Sequence, residues 1–285
     1  MRKIIQKISC MLAVLVLTVP AHAVVLRDSI RSQVLGGVTR YYMVYLPAGF
    51  QQNADRHYPV LYLLHGYTDD ERAWQDKGQM DRVCDELMAT GEAKQMVVVM
   101  PCAGGPDTRN TWNGYFNMKG WSYEDHFYQE LLPAVEKKYR AGGSREQRAV
   151  AGLSMGGGGS VGYAMSHPDM FAACYAMSAW LTSGINPNVQ DNDKPGLLNN
   201  AVGIHNPIEK LKNISQEEEN KLRSIAWFID CGDDDFLFDQ NIDFYKEMRQ
   251  RKFTVQLRVR DGGHTWEYWH NALRMCLPFV SRNFK

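Results

Sequence analysis

Neither sign of charge is in excess in this chain: 32 lysines and arginines face 32 aspartates and glutamates over 285 residues. Such a balance leaves no basic field, which argues against nucleic acid as a partner. Cysteine is scarce, 6 in all and widely spread, with no C-x-x-C pair. That pattern argues against a structural zinc site and against a disulfide framework. Beyond residue 23 no stretch reaches roughly 18 uninterrupted apolar residues, so no stable membrane insertion is expected of the remaining chain. The glycine run at 156–159 lacks the lysine of a phosphate loop, because Ser160-Val161 follows it. Internal repeats and linker-like stretches are also missing.

What is present begins with a leader pattern over residues 1–23. Arg2, Lys3 and Lys7 form its basic end, Met11 to Val19 its apolar part, and Ala21-His22-Ala23 a small-residue cleavage site. The pattern predicts a signal peptide and export to the periplasm or beyond. Lys7 ahead of Ile8-Ser9-Cys10 does not suit lipid attachment. Residues 24–285 would form one domain with a substantial core. Their formal charge is −3, because the leader removes three basic residues and no acidic ones. Cys84, Cys102, Cys174, Cys231 and Cys276 remain, several within apolar runs, and buried free thiols are expected, with room for one bridge.

The order of patterns along the chain is that of an α/β protein. Alternation through Arg40 to Leu46 predicts an antiparallel opening pair of strands within Val24 to Leu46. Tyr58 to Leu64 and Met96 to Met100 are continuous apolar runs, expected as strands buried on both faces, with a helix near Met80 to Thr90 between them. An aromatic loop holding Trp112, Tyr115, Phe116 and Trp121 leads to a helical pattern from about Glu124 to Tyr139, with Pro133 as a kink or offset start. Further strands are expected near Ala149 to Ala151, Ala172 to Ser178, Ser224 to Asp230 and Thr254 to Arg260. Helices are expected up to about His167, from about Asp239 to Arg251, and at the end of the chain. Alternating strands and helices imply a mostly parallel central sheet flanked by helices. Residues 181–222 break the rhythm with a polar stretch, read as an insertion with short helices near 207–211 and 216–222.

One stretch carries chemistry. Gly152-Leu153-Ser154-Met155-Gly156 matches G-x-S-x-G, the strand-to-helix turn that exposes a serine hydroxyl in α/β-hydrolases. Ser154 is therefore the candidate nucleophile. A serine needs a base, and the base needs an acid to fix its tautomer, in the chain order Ser, Asp or Glu, His. Among the histidines after Ser154, His264 alone sits on a Gly-Gly turn beyond a predicted strand. His270 falls within the last helix, His167 ends the helix after the serine, and His205 belongs to the insertion. Asp233, Asp234 and Asp235 follow a predicted strand, and the pair Phe236-Leu237 makes Asp235 the one expected to turn inward. Oxyanion donors are expected from the backbone of Met155 and of the loop after His65-Gly66, most naturally Tyr67. His65 is read as a loop residue rather than a second base.

These marks resemble carbohydrate esterase family one, the group of esterase D and the feruloyl esterases. The resemblance rests on Val44-Tyr45-Leu46-Pro47, Leu63-Leu64-His65-Gly66-Tyr67 with Trp74 downstream, the Ser154 turn, Cys231-Gly232-Asp233-Asp234-Asp235-Phe236-Leu237, and Gly262-Gly263-His264-Thr265-Trp266. It covers essentially all of residues 24–285. It implies the acid at Asp235, the base at His264 and oxyanion donors at Tyr67 and Met155, without metal or cofactor. It implies a feruloyl or acetyl esterase acting on small-molecule or oligosaccharide esters from plant polysaccharide. The group also holds acyltransferases such as mycolyltransferases and cytosolic S-formylglutathione hydrolases, and a carbohydrate-binding descendant that has lost catalysis is a further alternative. Trp74, Trp112, Tyr115, Trp180 and Trp266 are the candidates for contact with a sugar or phenolic ring, against the plainer alternative that they fill the core.

Overall fold

The computed structural model describes residues 22–104 and 114–285. The leader, apart from His22 and Ala23, and the aromatic candidate Trp112 lie outside the described residues.

Eight strands form one sheet: β1 (Val24–Ser32), β2 (Val38–Leu46), β3 (Val60–Leu64), β4 (Val97–Pro101), β5 (Arg148–Leu153), β6 (Ala173–Met177), β7 (Ala226–Gly232) and β8 (Val255–Arg260). Their spatial order is β1-β2-β4-β3-β5-β6-β7-β8. The strands from β3 to β8 run parallel, whereas β2 is antiparallel to both β1 and β4. This is the α/β-hydrolase sheet.

The longer helices are α1 (Met80–Ala89), α2 (Leu132–Tyr139), α3 (Met155–Ser166), α4 (Lys194–Ile204), α5 (Pro207–Asn213), α6 (Gln216–Arg223), α7 (Phe238–Gln250) and α8 (Trp266–Asn283). Because successive side chains of a strand point to opposite faces, the continuous apolar runs of β3 and β4 feed two cores. Tyr62, Val99, Val150 and Ile229 pack with Val135 of α2, Tyr163 of α3 and Phe244 of α7. Leu61, Leu63, Val98 and Ala151 pack on the other face with Val83 of α1 and Leu273 and Leu277 of α8. Among the described residues no helix is long and apolar enough to cross a membrane.

Pro133 acts as an offset start. A short helix Tyr123–His126 passes through one π turn, Phe127–Leu131, before α2 begins. Proline has no N–H and its ring crowds the preceding turn, so the wider turn accommodates it without breaking the helix. Cys84, Cys102, Cys174, Cys231 and Cys276 are all free and buried.

The polar stretch 181–222 carries the two short helices its sequence suggests, now α5 and α6. Asn206 caps the first, and a Ser215/Glu218 capping box starts the second. The stretch also holds α4, where the residues Gly196, Asn199, Asn200 and Gly203 disfavour a helix. Leu198, Ala201 and Val202 bury that helix against the core, and packing overrides propensity.

Candidate active site

The parallel strands end along one edge of the sheet, and the loops that leave β3, β5, β6, β7 and β8 meet there. Ser154 sits between β5 and α3 with φ 53° and ψ −119°, a backbone conformation that costs an L-residue energy and is held by its surroundings. Its N–H donates to the carbonyl of Met177 at 2.9 Å, and its own carbonyl accepts from Gly158 N at 3.0 Å and Trp180 N at 2.9 Å. The turn is this sharp because α3 packs directly on the loops of its neighbours. A Cβ on Gly156 would come within 2.5 Å of the backbone oxygens of Leu64 and His65, and one on Gly158 would overlap the Trp180 carbonyl.

His264 reaches the serine from the loop after β8, with Nε2 2.9 Å from Ser154 Oγ. Its Nδ1 faces both oxygens of Asp235, at 3.0 and 2.9 Å. In that arrangement Nδ1–H donates to the carboxylate and leaves the Nε2 lone pair toward the hydroxyl. The ring is fixed on two sides, by Phe236 with centroids 4.5 Å apart and by Trp269 edge-on at 4.8 Å.

The Asp235 side chain is fully shielded from solvent. Burial by itself would raise its pKa, but hydrogen bonds from His264, the Leu237 N–H and the Ser178 hydroxyl outweigh burial and hold it below the usual aspartate value. The Leu237 N–H donates at 2.8 Å. The other two aspartates of the run have different work. Asp233 Oδ1 accepts from Gly262 N at 3.1 Å, and Asp234 N donates to Gly262 O at 3.2 Å. Both tie the Asp235 loop to the His264 loop.

Gly66 brings the loop after β3 against the serine: a Cβ there would lie 3.6 Å from Ser154 Cβ and would collide with Leu153 at 2.6 Å. Tyr67 follows Gly66 directly, and Met155 is the first residue of α3, where backbone N–H groups precede the helical ladder. His65 is buried, with Nδ1 2.7 Å from Gly66 O and Nε2 accepting from Ala103 N at 3.0 Å. Burial lowers its pKa. It holds two loops in place and does not point at the serine's proton.

A cleft of about 590 Å³ opens above Ser154 and His264, lined also by Tyr67, Asp69, Lys77, Trp180, Phe236 and Trp266. Trp180 and Trp266 thus stand where a ligand would meet them. Trp74 and Tyr115 do not, and the expectation that they touch substrate is corrected here. Trp74 is wholly buried, its indole N–H on Leu64 O at 3.0 Å and its ring behind Trp266. Tyr115 is buried with its hydroxyl on His65 O at 3.1 Å. Both brace the loop after β3 from beneath. The stretch 181–222 contributes no residue to the cleft among those described, but lines a separate cavity of about 490 Å³ beside α3.

Sequence reasoning missed Ser178, whose only signal is its place at the end of a strand, and Phe236 as a wall of the cleft. Phe236 is 77% exposed. Lys77 and Asp69 also line the cleft; each sits beside other charged residues, in Asp69-Asp70-Glu71-Arg72 and Asp76-Lys77, and nothing local singles out one member.

Comparison with known proteins adds the following. Residues 32–280 match an esterase family described as "Putative esterase". A solved ferulic acid esterase is 49% identical, covering 93% of this chain and 100% of that one, with a TM-score of 0.88. An endo-1,4-beta-xylanase/feruloyl esterase of Xylanibacter ruminicola is 34% identical over 131 residues, 45% of this chain and 18% of the relative. This chain therefore spans less than a fifth of that relative's length. An acetyl esterase of Caldicellulosiruptor saccharolyticus is 23% identical over 82% of this chain and 87% of its own.

Proposed function

The chain belongs to the esterase family, and on that premise we propose that it is a serine carboxylic-ester hydrolase acting on feruloyl or acetyl esters derived from plant polysaccharide. The observation that carries the chemistry is the aligned set Ser154 Oγ, His264 Nε2 at 2.9 Å, and Asp235 at 2.9 Å from His264 Nδ1. The similarity to a ferulic acid esterase supports the acyl group.

In this reading His264 Nε2 accepts the Ser154 proton as Oγ attacks the ester carbonyl. Asp235 keeps Nδ1 protonated and stabilises the imidazolium. The oxyanion forms against the backbone N–H groups of Tyr67 and Met155. Collapse of the tetrahedral intermediate breaks the ester C–O bond, and His264 gives its proton to the leaving alcohol. Water then attacks the acyl carbon while His264 takes its proton; collapse breaks the acyl C–O bond to Ser154, and His264 returns the proton to Ser154 Oγ as the acid leaves. The reading includes export, carried by the leader pattern, with one catalytic unit over residues 24–285.

The test is hydrolysis of methyl ferulate and p-nitrophenyl acetate by the wild type and by Ser154→Ala. The variant is expected to lose about 10⁴-fold or more in kcat on both. Retention of most activity would overturn the assignment of the nucleophile. Turnover of short-chain esters with none of feruloyl or acetylated xylan substrates would overturn the substrate class.

A further inference from the structure

The segment that follows β6 has no regular secondary structure from 179 to 186, yet Ala179 and Leu181 are buried within it. Buried backbone outside a helix or sheet must find its partners elsewhere. Here every N–H from Ser178 to Thr182 has one. Ser178 N donates to Asp230 O at 2.7 Å and Trp180 N to Ser154 O at 2.9 Å. Ala179 N donates to Asn241 Oδ1 at 3.0 Å, and Leu181 N and Thr182 N both donate to Gln240 Oε1, at 2.6 and 3.0 Å. Three of these five bonds therefore end on two adjacent side chains in the first turn of α7, the helix that opens just after Asp235.

The two amides hold different things. Asn241 is fully buried, and its Nδ2 donates to Ala179 O at 2.9 Å and to Leu237 O at 2.8 Å. It ties the residue after Ser178 to the residue whose N–H bonds Asp235. Gln240 is only partly buried, and among the described residues its oxygen alone is engaged. The residue before Leu181 is Trp180, a wall of the cleft whose ring meets Tyr67 edge to face at 6.2 Å. The Trp180 indole N–H donates to Thr182 O at 3.1 Å, so a residue that Gln240 holds also holds the ring.

We propose that Gln240 and Asn241 are positioning residues for hydrolysis at Ser154, an amide clamp that fastens the 178–182 backbone to the helix after Asp235. The proposal rests on the reading of Ser154, His264 and Asp235 as the hydrolytic set. Neither amide lines the cleft. Asn241 keeps Ser178 beside Asp235 and Trp180 N on the Ser154 carbonyl, so its weight falls on kcat. Gln240 keeps the Trp180 ring at its place in the cleft, so its weight falls on KM. The geometry asks for an acceptor and no donor from Gln240, and for one acceptor and two donors from Asn241. Gln240→Glu offers the same oxygen to the same two N–H groups, and a carboxylate suits the first turn of a helix. Gln240→Leu leaves both N–H groups without their acceptor.

The test compares wild type, Gln240→Leu, Gln240→Glu and Asn241→Asp by amide hydrogen exchange over 178–182 and by steady-state kinetics on methyl ferulate and p-nitrophenyl acetate. Gln240→Leu is expected to speed exchange at Leu181 and Thr182 about tenfold or more, and to raise KM for methyl ferulate about fivefold with kcat within about twofold of wild type. Gln240→Glu is expected to match wild type in both readouts. Asn241→Asp keeps the acceptor and loses both donors, and is expected to lower kcat about tenfold on either ester. Gln240 is partly exposed, so its two variants decide the question should Asn241→Asp fail to fold. Exchange and KM unchanged in Gln240→Leu, or Gln240→Glu as impaired as Gln240→Leu, overturns the clamp. A folded Asn241→Asp with wild-type kcat overturns the role given to Asn241. A lowered melting temperature in Gln240→Leu with both kinetic constants unchanged overturns positioning and makes the amide a packing element. If wild type cleaves neither ester while Gln240→Leu still speeds exchange, the hydrolytic reading falls and the clamp on the backbone stands.

Discussion

The indole N–H of Trp269 donates to Ser178 Oγ across 3.1 Å, and the Ser178 hydroxyl is among the groups that hold the Asp235 carboxyl below its usual pKa. Ser178 is held for this with φ 43°, its N–H donating to Asp230 O at 2.7 Å. Trp269 also meets the His264 ring edge-on, so one residue of α8 touches both Ser178 and His264. Ser178→Ala removes a donor from Asp235 and leaves a buried indole N–H without its acceptor. We expect kcat on p-nitrophenyl acetate to fall about tenfold with KM nearly constant. A kcat equal to wild type in steady-state assays would remove Ser178 from the machinery.

Asp235→Asn keeps the shape of the site but removes the charge that holds Nδ1 protonated. The expected loss in kcat is about 10³–10⁴-fold, with the fold unchanged by circular dichroism. In the wild type Asp235 titrates below the ordinary aspartate value of about 3.9, because its hydrogen bonds outweigh burial. The pH–rate profile between 5 and 8, measured in about half-unit steps, should therefore carry no inflection from this carboxyl. An acid-limb inflection that disappears in Asp235→Asn would contradict this.

Asp28 makes the corresponding prediction for stability. Burial would raise its pKa, but Lys138, Tyr139, Tyr42 and the Ser29 N–H all bond the carboxylate and hold it well below the usual value. Lys138, Tyr139 and Tyr42 each approach Oδ2 at 2.6 Å, linking β1 to β2 and α2. A carboxyl with a depressed folded pKa stabilises fully above its unfolded value of about 3.9, and that contribution is lost as pH falls toward the folded value. Asp28→Asn should therefore cost about 1–3 kcal/mol at neutral pH, with the gap to wild type narrowing below about pH 3. Urea unfolding at both pH values checks it. An equal gap at the two would show that the charge is not responsible.

Glycine substitutions separate close packing from mere loop character. Gly158→Ala places a methyl onto the Trp180 carbonyl, so α3 must move away from the loop after β6 and carry Ser154 with it. Loss of about 1–3 kcal/mol or more is expected, together with loss of activity. Gly184→Ala meets nothing within 4 Å and should melt within about 2 °C of wild type. Thermal unfolding of the two variants side by side is the measurement, and equal melting temperatures would refute the packing argument.

Much of this protein is written in short-range pattern. The apolar runs of β3 and β4 mark buried parallel strands because a strand covered on both faces needs no polar alternation. The Gly152–Gly156 turn, the aspartate run after β7 and the Gly262-Gly263-His264 turn name Ser154, Asp235 and His264 by chain order and by their position after strands. Pro133 announces its offset start because a missing N–H is a covalent fact. Other features are decided only when distant segments meet. Trp74 and Trp266 have the same side chain, yet one is sealed beneath the other because the loop after β3 packs under the start of α8. Phe236 is exposed although apolar, because Asp235 beside it turns inward to His264. Ser178 meets its indole partner Trp269 from 91 residues away, which no local pattern encodes. α4 forms against its own propensity because Leu198, Ala201 and Val202 find a core to bury in. Chain order and periodicity determine which chemistry is present, while long-range packing decides which side chains face the ligand, since burial belongs to the assembled fold rather than to any one segment.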